Sequence, residues 1–263
     1  MSVQVLVASM NQNDHSLVEK MRISSDAIVG NQCDRNCVEA FRFGGHKIVY
    51  LNCNERGVGL NRNNCLLRAS ADYCIIADDD MVFCADYSSI VEKAFAEKPD
   101  ADFLVFNIDE SKQTGRRTNK SFKRIGLFNY MNYGAARFVF RRKAIQGKAV
   151  SFNLGFGGGT DHSCGEDSLF IRDCLAKRMR IYTAPYCIAS LSNERESSWF
   201  RGYDEKYFYD KGFFLGVAHP FLCHLFALYL TIRHKECFGK GSVSKKVARR
   251  AIRKGIKDSL NYR

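Results

Sequence analysis

Apolar residues come in short runs separated by amphipathic stretches, the pattern that strands and helices give in an α/β protein. The predicted strands are Val3–Ala8, Asp26–Val29, His46–Leu51, Tyr73–Ala77, Phe103–Asn107, Ala136–Phe140 and Arg180–Thr183. The predicted helices run from Asn13 or Asp14 to about Arg22, over Leu60–Ala71 and Ser88–Glu97, and from the Ser163 capping box to about Met179. Strands alternating with helices predict a Rossmann-like, mostly parallel central sheet flanked by helices.

The run Tyr73–Ala77 leads directly into three consecutive carboxylates, Asp78, Asp79 and Asp80. Such a short apolar run is typical of a strand buried on both faces, and open α/β sheets bind ligands at the carboxyl ends of their strands. In an extended chain Asp78 and Asp80 point to the same side, and together they need a cation. Oxygen ligands favour Mg²⁺ or Mn²⁺. An acidic turn that caps the next helix is the alternative.

Arg62 lies at the start of the predicted helix Leu60–Ala71, on the apolar stripe that faces the sheet. A buried arginine needs a negative partner. That partner is either an anion bound at the helix N-terminus or a neighbouring carboxylate such as Asp78.

A second acidic pair, Glu166 and Asp167, follows a glycine cluster at residues 155–159. The cluster lacks the strand context of a dinucleotide-binding motif, so it predicts a loop with close backbone approach or mobility. Ser163 and Glu166 have capping-box spacing, which gives Glu166 a structural explanation. Asp167, at a helix N-terminus, is the candidate proton acceptor.

The net charge of +12 is concentrated at the C-terminal end of the chain, where residues 233–263 hold eleven Lys or Arg against Glu236 and Asp258. The preceding run Phe213–Ile232 carries no formal charge, and Pro220 is predicted to begin its helix. A membrane-surface helix, a membrane span and a buried or oligomeric contact all remain open. The basic tail is predicted to be an amphipathic helix suited to an anionic membrane surface. Its basic face holds Lys246, Arg249, Arg250, Arg253 and Lys257, and its apolar face holds Ala248, Ile252, Ile256 and Leu260. Nucleic acid is disfavoured because the tail lacks interleaved aromatics.

Composition predicts a well-cored globular protein, since 46% of residues are hydrophobic and only three are proline. Eleven scattered cysteines without a CxxC motif indicate reduced thiols in a cytoplasmic protein. The opening MSVQVLVAS has no basic segment before its apolar run, so no secretory signal is expected.

Six segments, taken in order, resemble a family 2 glycosyltransferase of the GT-A fold, of the small bacterial kind that builds capsule, exopolysaccharide or lipopolysaccharide. They are VLVASMNQ, DAIVGNQ, GLNRNN, ADDDMVF, FGGGTDHSCGEDSLF and ESSWFRGYDEKYF. The resemblance implies inverting transfer from a nucleotide sugar, with a UDP-sugar favoured, to a hydroxyl of a glycan or lipid-linked acceptor. It also implies a transferase domain over residues 1–212, with a nucleotide-binding half at 1–108 and an acceptor-binding half at 109–212. Residues 213–263 would then attach the protein to the inner face of the cell membrane.

The resemblance also implies roles for particular residues. The residues expected around the nucleotide are Ser9, Asn11, Asn31, Gln32, Arg62 and Asp78. Those expected to hold Mn²⁺ or Mg²⁺ on the donor diphosphate are Asp78, Asp79 and Asp80. Asp167 is the expected catalytic base, and the other substrate contacts are Gly158, Gly159, Glu166 and Trp199. The histidine that the family often places after the last strand has no counterpart in residues 190–194.

Two other functions remain open. A sugar nucleotidyltransferase also combines such a sheet with bound Mg²⁺, but it usually carries a glycine- and lysine- or arginine-rich signature after its first strand. The segment SMNQNDHS has no such signature. A non-catalytic module that binds membrane or nucleic acid is the second alternative, and a homo-oligomer is also left open.

Overall fold

The computed structural model describes residues 1–109, 118–192, 202–233, 237 and 243–262, apart from the side chain of residue 233. The chain divides into two compact units. Unit 1 comprises Met1–Leu154 and Glu166–Arg195, and unit 2 comprises Gly155–Gly165 and Glu196–Arg263. Residues 155–165 and the helical residues up to 212, which the sequence groups with the transferase domain, therefore cluster with the C-terminal segment.

Unit 1 is built on a nine-stranded sheet with the order β3-β4-β2-β1-β5-β8-β7-β9-β6. Its strands are β1 Val3–Met10, β2 Asp26–Gln32, β3 Cys37–Phe43, β4 His46–Cys53, β5 Tyr73–Asp78, β6 Met81–Phe83, β7 Phe103–Asp109, β8 Phe138–Arg141 and β9 Ile181–Leu191. Strands β4, β2, β1 and β5 pair in parallel, as do β7 and β9. Strand β8 is antiparallel to both β5 and β7, and therefore joins the two parallel sections of the sheet.

Helices cover both faces of this sheet. They are α1 Leu17–Lys20, α2 Val58–Arg68, α3 Tyr87–Glu97, α4 Arg142–Gly147 and α5 Glu166–Ala176. One core packs α1 and α3 against the sheet, and the other packs α2, α4 and α5. Strand β5 contributes Ile75 and Ala77 to the first core and Cys74 and Ile76 to the second, so its burial on both faces is confirmed.

Most strands lie where the apolar runs predict them, and the GT-A-type α/β fold is confirmed. Three details differ. The first helix is only Leu17–Lys20, because Arg22 has a positive φ of 54° and ends it. Strand β3 was not predicted, since it lies at the sheet edge with most side chains exposed. The strand predicted at Ala136–Phe140 runs opposite to the parallel strands.

Unit 2 consists of the 155–165 segment and the helices α6 Glu205–Ala218, α7 Cys223–Arg233 and α8 Lys245–Ser259. Helices α6 and α8 can pack closely because Gly212 of α6 has no side chain. A side chain at Gly212 would overlap the backbone carbonyl of Ile252.

The uncharged run at 213–232 is divided near Pro220, three residues before the observed start of the helix that Pro220 was predicted to begin. Phe213 and Phe214 belong to the end of α6 and are buried, and the chain is broken around Pro220 before α7 begins. Within the described ranges, no helix is long and apolar enough to cross a membrane. The two predicted faces of the tail helix are confirmed, since Ile252 and Ile256 are buried and the basic residues are exposed. Leu260, predicted on the apolar face, is 61% exposed.

Candidate functional site

The parallel strands bring the predicted nucleotide residues to one edge of the sheet. Strand β1 pairs with β2 so that Ser9 lies opposite Asn31, and it pairs with β5 so that Ala8 lies opposite Asp78. Because these strands end together, the predicted donor-site residues from β1, β2 and β5 lie at the same carboxyl edge, which is where such sheets bind ligands.

Buried hydrogen bonds fix the loop after β1. The Asn31 side chain, which has no exposed surface, donates to the carbonyl of Gln12 at 2.9 Å and to Asn52 Oδ1 at 2.7 Å. Its Oδ1 accepts the Gln12 N–H at 2.9 Å. Ser9 Oγ donates to the carbonyl of Gly30 at 3.1 Å. These bonds hold Asn11, which adopts the left-handed conformation with φ 54°.

A shallow depression of about 230 Å³ opens beside this loop. Its lining residues are Asn11, Asn13, Cys33, Asp34 and Arg35. The lining offers amide, carboxylate and guanidinium groups, which suit a polar ring system. Gln32 lies nearby in sequence, and its Oε1 accepts the N–H of Gly57 at 2.8 Å, which ties the end of β2 to the start of α2.

The acidic triplet occupies a turn between two strands. Asp78 is the last residue of β5, Asp79 and Asp80 form the turn, and β6 begins at Met81. The simple alternation expected for an extended chain therefore does not apply to Asp78 and Asp80. The turn is fixed from the far end of the chain, because the N–H of Ser192 donates to the carbonyl of Asp80 at 2.7 Å.

Arg62 gathers acids from two distant parts of the sequence. Its side chain is only 4% exposed, and Nη2 donates to Asp78 Oδ1 at 2.8 Å. Nη1 donates to Glu166 Oε1 at 3.2 Å and to Asp167 Oδ1 at 3.1 Å. The predicted pairing of Arg62 with Asp78 is thus present, and it extends to both residues of the second acidic pair. We call these four residues the Arg62 cluster.

Neighbouring side chains that the sequence did not single out hold Arg62 in place. Its guanidinium lies 5.3 Å from the ring centroid of Phe152, and that ring stacks on Phe170 of α5 at 4.1 Å. Asn63 accepts the N–H of Phe152 at 2.8 Å and donates to its carbonyl at 2.9 Å. In the sequence, Asn63 shows only as a polar residue beside Arg62 in GLNRNN. Nothing in that segment indicates that it bonds to Phe152, 89 residues away.

The Arg62 cluster contains one cation and three carboxylates. Burial alone would lower the pKa of Arg62, but the charges of Asp78, Asp167 and Glu166 outweigh it and raise that pKa. Burial raises the pKa of Glu166 well above its ordinary value, the neighbouring Asp167 raises it further, and Arg62 only partly offsets both effects. The cluster therefore favours binding either a proton or a further cation.

Asp167 is the more accessible acid of the second pair. Its side chain is 28% exposed, whereas that of Glu166 is 12% exposed. While Oδ1 faces Arg62, Oδ2 lies beside Gly134, 3.5 Å from where a side chain at that position would begin. A carboxylate held by one oxygen, with a glycine beside the other, can accept a proton from a molecule that reaches it.

The acids at the β5 turn fit a divalent ion shared with a ligand. Among the described residues, no three His, Cys, Asp or Glu side chains are arranged to hold a metal by themselves. Mg²⁺ and similar ions usually take only one or two carboxylates and complete their shell with substrate phosphates and water. Asp78, 40% exposed, and the adjacent Asp79 and Asp80 supply oxygen ligands of the kind required.

Of the remaining predicted residues, the structure describes Gly158 and Gly159. Gly158 and Gly159 are exposed in unit 2, and Gly159 has a φ of 84°. Trp199 is outside the described residues. Ser163 does not complete the predicted capping box in the described contacts, because its N–H and Oγ both donate to Asp210.

Asp210 is the centre of a second buried cluster, in unit 2, that the sequence did not indicate. Its side chain is fully buried and accepts from Lys206 Nζ at 2.8 and 2.9 Å. It also contacts His162 Nδ1 at 3.0 Å and Ser163 Oγ at 3.2 Å. Burial alone would raise the pKa of Asp210, but the hydrogen bonds from His162 and Lys206 outweigh it and lower that pKa. We call this group the Asp210 cluster.

The sheet is mixed rather than mostly parallel as predicted, since four of its eight strand pairings are antiparallel. With an acidic turn at the end of its central strand it defines a GT-A-type protein, and solved structures of that class share the fold. S. aureus TarS 1-349 in complex with UDP-GlcNAc is 13% identical, covering 99% of this chain and 72% of that one with a TM-score of 0.58. The mannosyltransferase PcManGT from Pyrobaculum calidifontis, in complex with GDP-Man and Mn²⁺, is 14% identical. That comparison covers 94% of this chain and 73% of that one with a TM-score of 0.51.

The sequence also matches a family model. Residues 32–160 match glycosyl transferase family 2. Together with the shared fold, this match supports a family 2 glycosyltransferase. The matched range includes Arg62 and Asp78–Asp80 but ends before Glu166 and Asp167. A search of curated proteins gave no match.

Proposed function

We propose that the protein transfers a sugar from a nucleoside diphosphate sugar, with a UDP-sugar as the first choice, to a hydroxyl group of a glycan or lipid-linked acceptor. The transfer inverts the anomeric carbon and serves bacterial surface polysaccharide synthesis. The observation that carries this proposal is the Arg62 cluster, since it joins the acidic turn after β5 to the acidic start of α5 at the carboxyl edge of the sheet.

The nucleoside end of the donor would lie at the depression beside the β1 loop. Asn11, Asn13 and Arg35 line it and offer hydrogen bonds to a base or ribose. Asn31 and Gln32 are occupied by backbone contacts, so they would act by holding these lining residues in position.

The acidic turn is the expected position of the diphosphate. Asp78, Asp79 and Asp80 would hold Mn²⁺ or Mg²⁺ there, and the ion would neutralise charge on the leaving nucleoside diphosphate. Arg62 would hold Asp78 in position through the hydrogen bond from its Nη2, and the ring of Phe152 packs against the Arg62 guanidinium.

Asp167 would act as the general base. It would accept the proton of the acceptor hydroxyl as that oxygen attacks the anomeric carbon from the face opposite the leaving group, which gives inversion. Glu166 accepts a hydrogen bond from Nη1 of the Arg62 guanidinium, and with its raised pKa it would carry a proton. No covalent sugar intermediate is required.

A lipid-linked acceptor would place the protein at the inner face of the cell membrane, attached through residues 213–263. The basic helix α8 and the exposed apolar helix α7 support this location. The same exposed face leaves a homo-oligomer as an alternative use.

Donor binding tests the proposal directly. UDP together with Mn²⁺ is expected to raise the melting temperature of the full chain, because a ligand that binds only the folded state stabilises it. The triple variant with alanine at Asp78, Asp79 and Asp80 should lose the shift. A panel of nucleotide sugars, assayed for release of the nucleoside diphosphate, then identifies the donor. Release of pyrophosphate from a nucleoside triphosphate and a sugar phosphate would instead identify a nucleotidyltransferase.

The base assignment needs its own variant. Asp167→Asn should retain the melting shift with UDP and Mn²⁺ yet lose about 10²- to 10⁴-fold in transfer rate. Asp173→Asn, on the same helix but paired with Arg172, is the matched control and should transfer normally. Full transfer by Asp167→Asn would assign the base elsewhere.

A further inference from the structure

Helix α7 and the turn before it carry an unusual amount of exposed apolar surface. Phe221 is 98% exposed, Leu225 62%, Leu228 57% and Ile232 66%. Leu225, Leu228 and Ile232, separated by three and four residues, share one face of α7, and Phe221 lies in the turn before it. Large apolar side chains that share one face, and stay exposed, mark a surface that binds something apolar.

The other side of α7 is held within unit 2. Cys223 is only 3% exposed, and its Sγ lies 3.5 Å from the carbonyl of Pro220. The ring of Phe226 stacks on that of His219 at 4.1 Å. The exposed stripe is therefore the outward face of a docked helix.

Helix α8 of the same unit presents charge. Its buried residues include Ala248, Ile252 and Ile256, so its apolar side is already used inside unit 2. Its exposed basic side chains are Lys245, Lys246, Arg249, Arg250, Arg253, Lys254 and Lys257. Asp258 is the one acid in this helix. Unlike a free amphipathic tail, α8 cannot turn its apolar face to a bilayer without leaving α6.

We propose that unit 2 docks on an anionic lipid bilayer, with α7 making the apolar contact and α8 the electrostatic contact. The stripe of α7, with Phe221 leading, enters the boundary between headgroups and acyl chains, and the basic face of α8 binds the headgroups. The charge selects the partner, since seven exposed cations and an exposed apolar stripe in the same unit complement anionic lipid. This inference deepens the membrane location in the proposed function and rests on it for the lipid-linked acceptor.

Flotation with vesicles tests the apolar contact. The full chain, without nucleotide sugar, should float with vesicles of phosphatidylcholine and phosphatidylglycerol and should stay below vesicles of phosphatidylcholine alone. The double variant Leu225→Glu and Leu228→Glu should bind at least about tenfold more weakly, because two leucine side chains no longer enter the bilayer. Leu67→Glu, at an equally exposed leucine of unit 1, is the matched control and should bind normally.

A second pair of variants tests the charge. Arg250→Glu with Arg253→Glu should weaken binding to the anionic vesicles by about tenfold or more, and added salt should weaken binding by the native chain. Lys47→Glu with Lys143→Glu places the same change on unit 1, where both lysines are exposed, and should have little effect.

Fluorescence reports whether Phe221 enters the membrane. Trp199 is the only tryptophan, so Phe221→Trp in a Trp199→Phe background gives a single probe. Its emission should shift to the blue on addition of anionic vesicles. An unshifted emission, or equal binding to neutral vesicles, would overturn the inference. So would a concentration-dependent dimer that Leu225→Glu and Leu228→Glu dissociate.

The readouts separate this inference from the proposed activity. If vesicles are not bound but UDP and Mn²⁺ still raise the melting temperature, only the docking surface is wrong. If vesicles are bound as expected and no nucleotide sugar is used, only the proposed function is wrong.

Discussion

The Arg62 cluster and the Asp210 cluster are opposite arrangements of buried charge. In unit 1 a single buried cation faces three carboxylates, and in unit 2 a single buried carboxylate faces an ammonium, a hydroxyl and an imidazole nitrogen. The first arrangement has an excess of negative charge. In the Asp210 cluster, both carboxylate oxygens of Asp210 have hydrogen-bond partners.

This difference separates a site from a structural support. A buried acid with enough donors has a lowered pKa and contributes to stability without any ligand. An acidic cluster with too few donors raises the pKa of its most buried member, Glu166, and remains costly until a proton or cation arrives. A carboxyl group with a raised pKa, at the carboxyl edge of a sheet, is a feature that binding sites often show.

Removing the cation should have the largest effect. Arg62→Ala leaves Asp78, Glu166 and Asp167 without their common partner, and we expect the free energy of unfolding to fall by about 3–5 kcal/mol at neutral pH. Urea unfolding measures it. Arg62→Lys keeps the positive charge but not the paired N–H donors of the guanidinium, so its loss of unfolding free energy should be smaller.

The cost of Arg62→Ala should shrink in acid, where the three carboxylates are protonated. A variant as stable as the native chain at neutral pH would show that the carboxylates do not depend on Arg62.

Neutralising the acid of the other cluster should destabilise less. Asp210→Asn removes the charge that Lys206, His162 and Ser163 share, and we expect a loss of about 1–3 kcal/mol in unfolding free energy. Lys206, 58% exposed, can return to water, which limits the cost. Asp161→Asn, at an exposed acid of unit 2, is the control.

Neutralising an acid of the Arg62 cluster should not lower the unfolding free energy as Asp210→Asn does. Asp167→Asn removes one of three competing charges, so its unfolding free energy should stay level or rise. If Asp167→Asn and Asp210→Asn destabilised equally, the distinction between the two clusters would fail.

The pH dependence should be a small effect per pH unit and the most diagnostic. The raised pKa of Glu166 means that the folded state binds more protons than the unfolded state above its ordinary pKa of 4.5. Stability from this group is therefore greatest below that value and falls as pH rises through the raised pKa, by at most about 1.4 kcal/mol per pH unit. Glu166→Gln should lack this slope.

Asp210 has the opposite sign. Its lowered pKa gives stability above the ordinary value of 3.8 that is lost as pH falls through the folded pKa. Urea unfolding between acidic and mildly alkaline pH measures both slopes. A Glu166→Gln profile that matched the native one would remove the basis for a protonated Glu166.

The elements that the sequence predicts best are those in which burial itself leaves a pattern. Strand β5 is a continuous apolar run because Cys74 and Ile75 face different cores. Strand β3 has no buried face, so Cys37–Phe43 leaves no such pattern. The uncharged run at 213–232 shows a different limit. Absence of charge does not distinguish Phe213, buried beneath α8, from Leu225, which faces outward.

The sequence identified most residues of the candidate site but not the contacts between them. Arg62 is conspicuous as a charge on an apolar stripe, but its contacts with Glu166 and Asp167 span more than 100 residues and have no local signal. Asp210 is hidden for another reason. Its spacing from Lys206 is that of an ordinary surface pair, and only packing shows that it is buried.

The pairing of β6 with β9 has a consequence for biosynthesis. Met81 pairs with Leu191, and the Asp80 carbonyl accepts from Ser192, so the acidic turn is fixed by residues made on the order of ten seconds later on the ribosome. During that interval the nascent chain carries Asp78–Asp80 without the strand that fixes the turn. A chain released before Glu166 is made would lack both that strand and the acids of α5, so neither the fixed turn nor the Arg62 cluster could form.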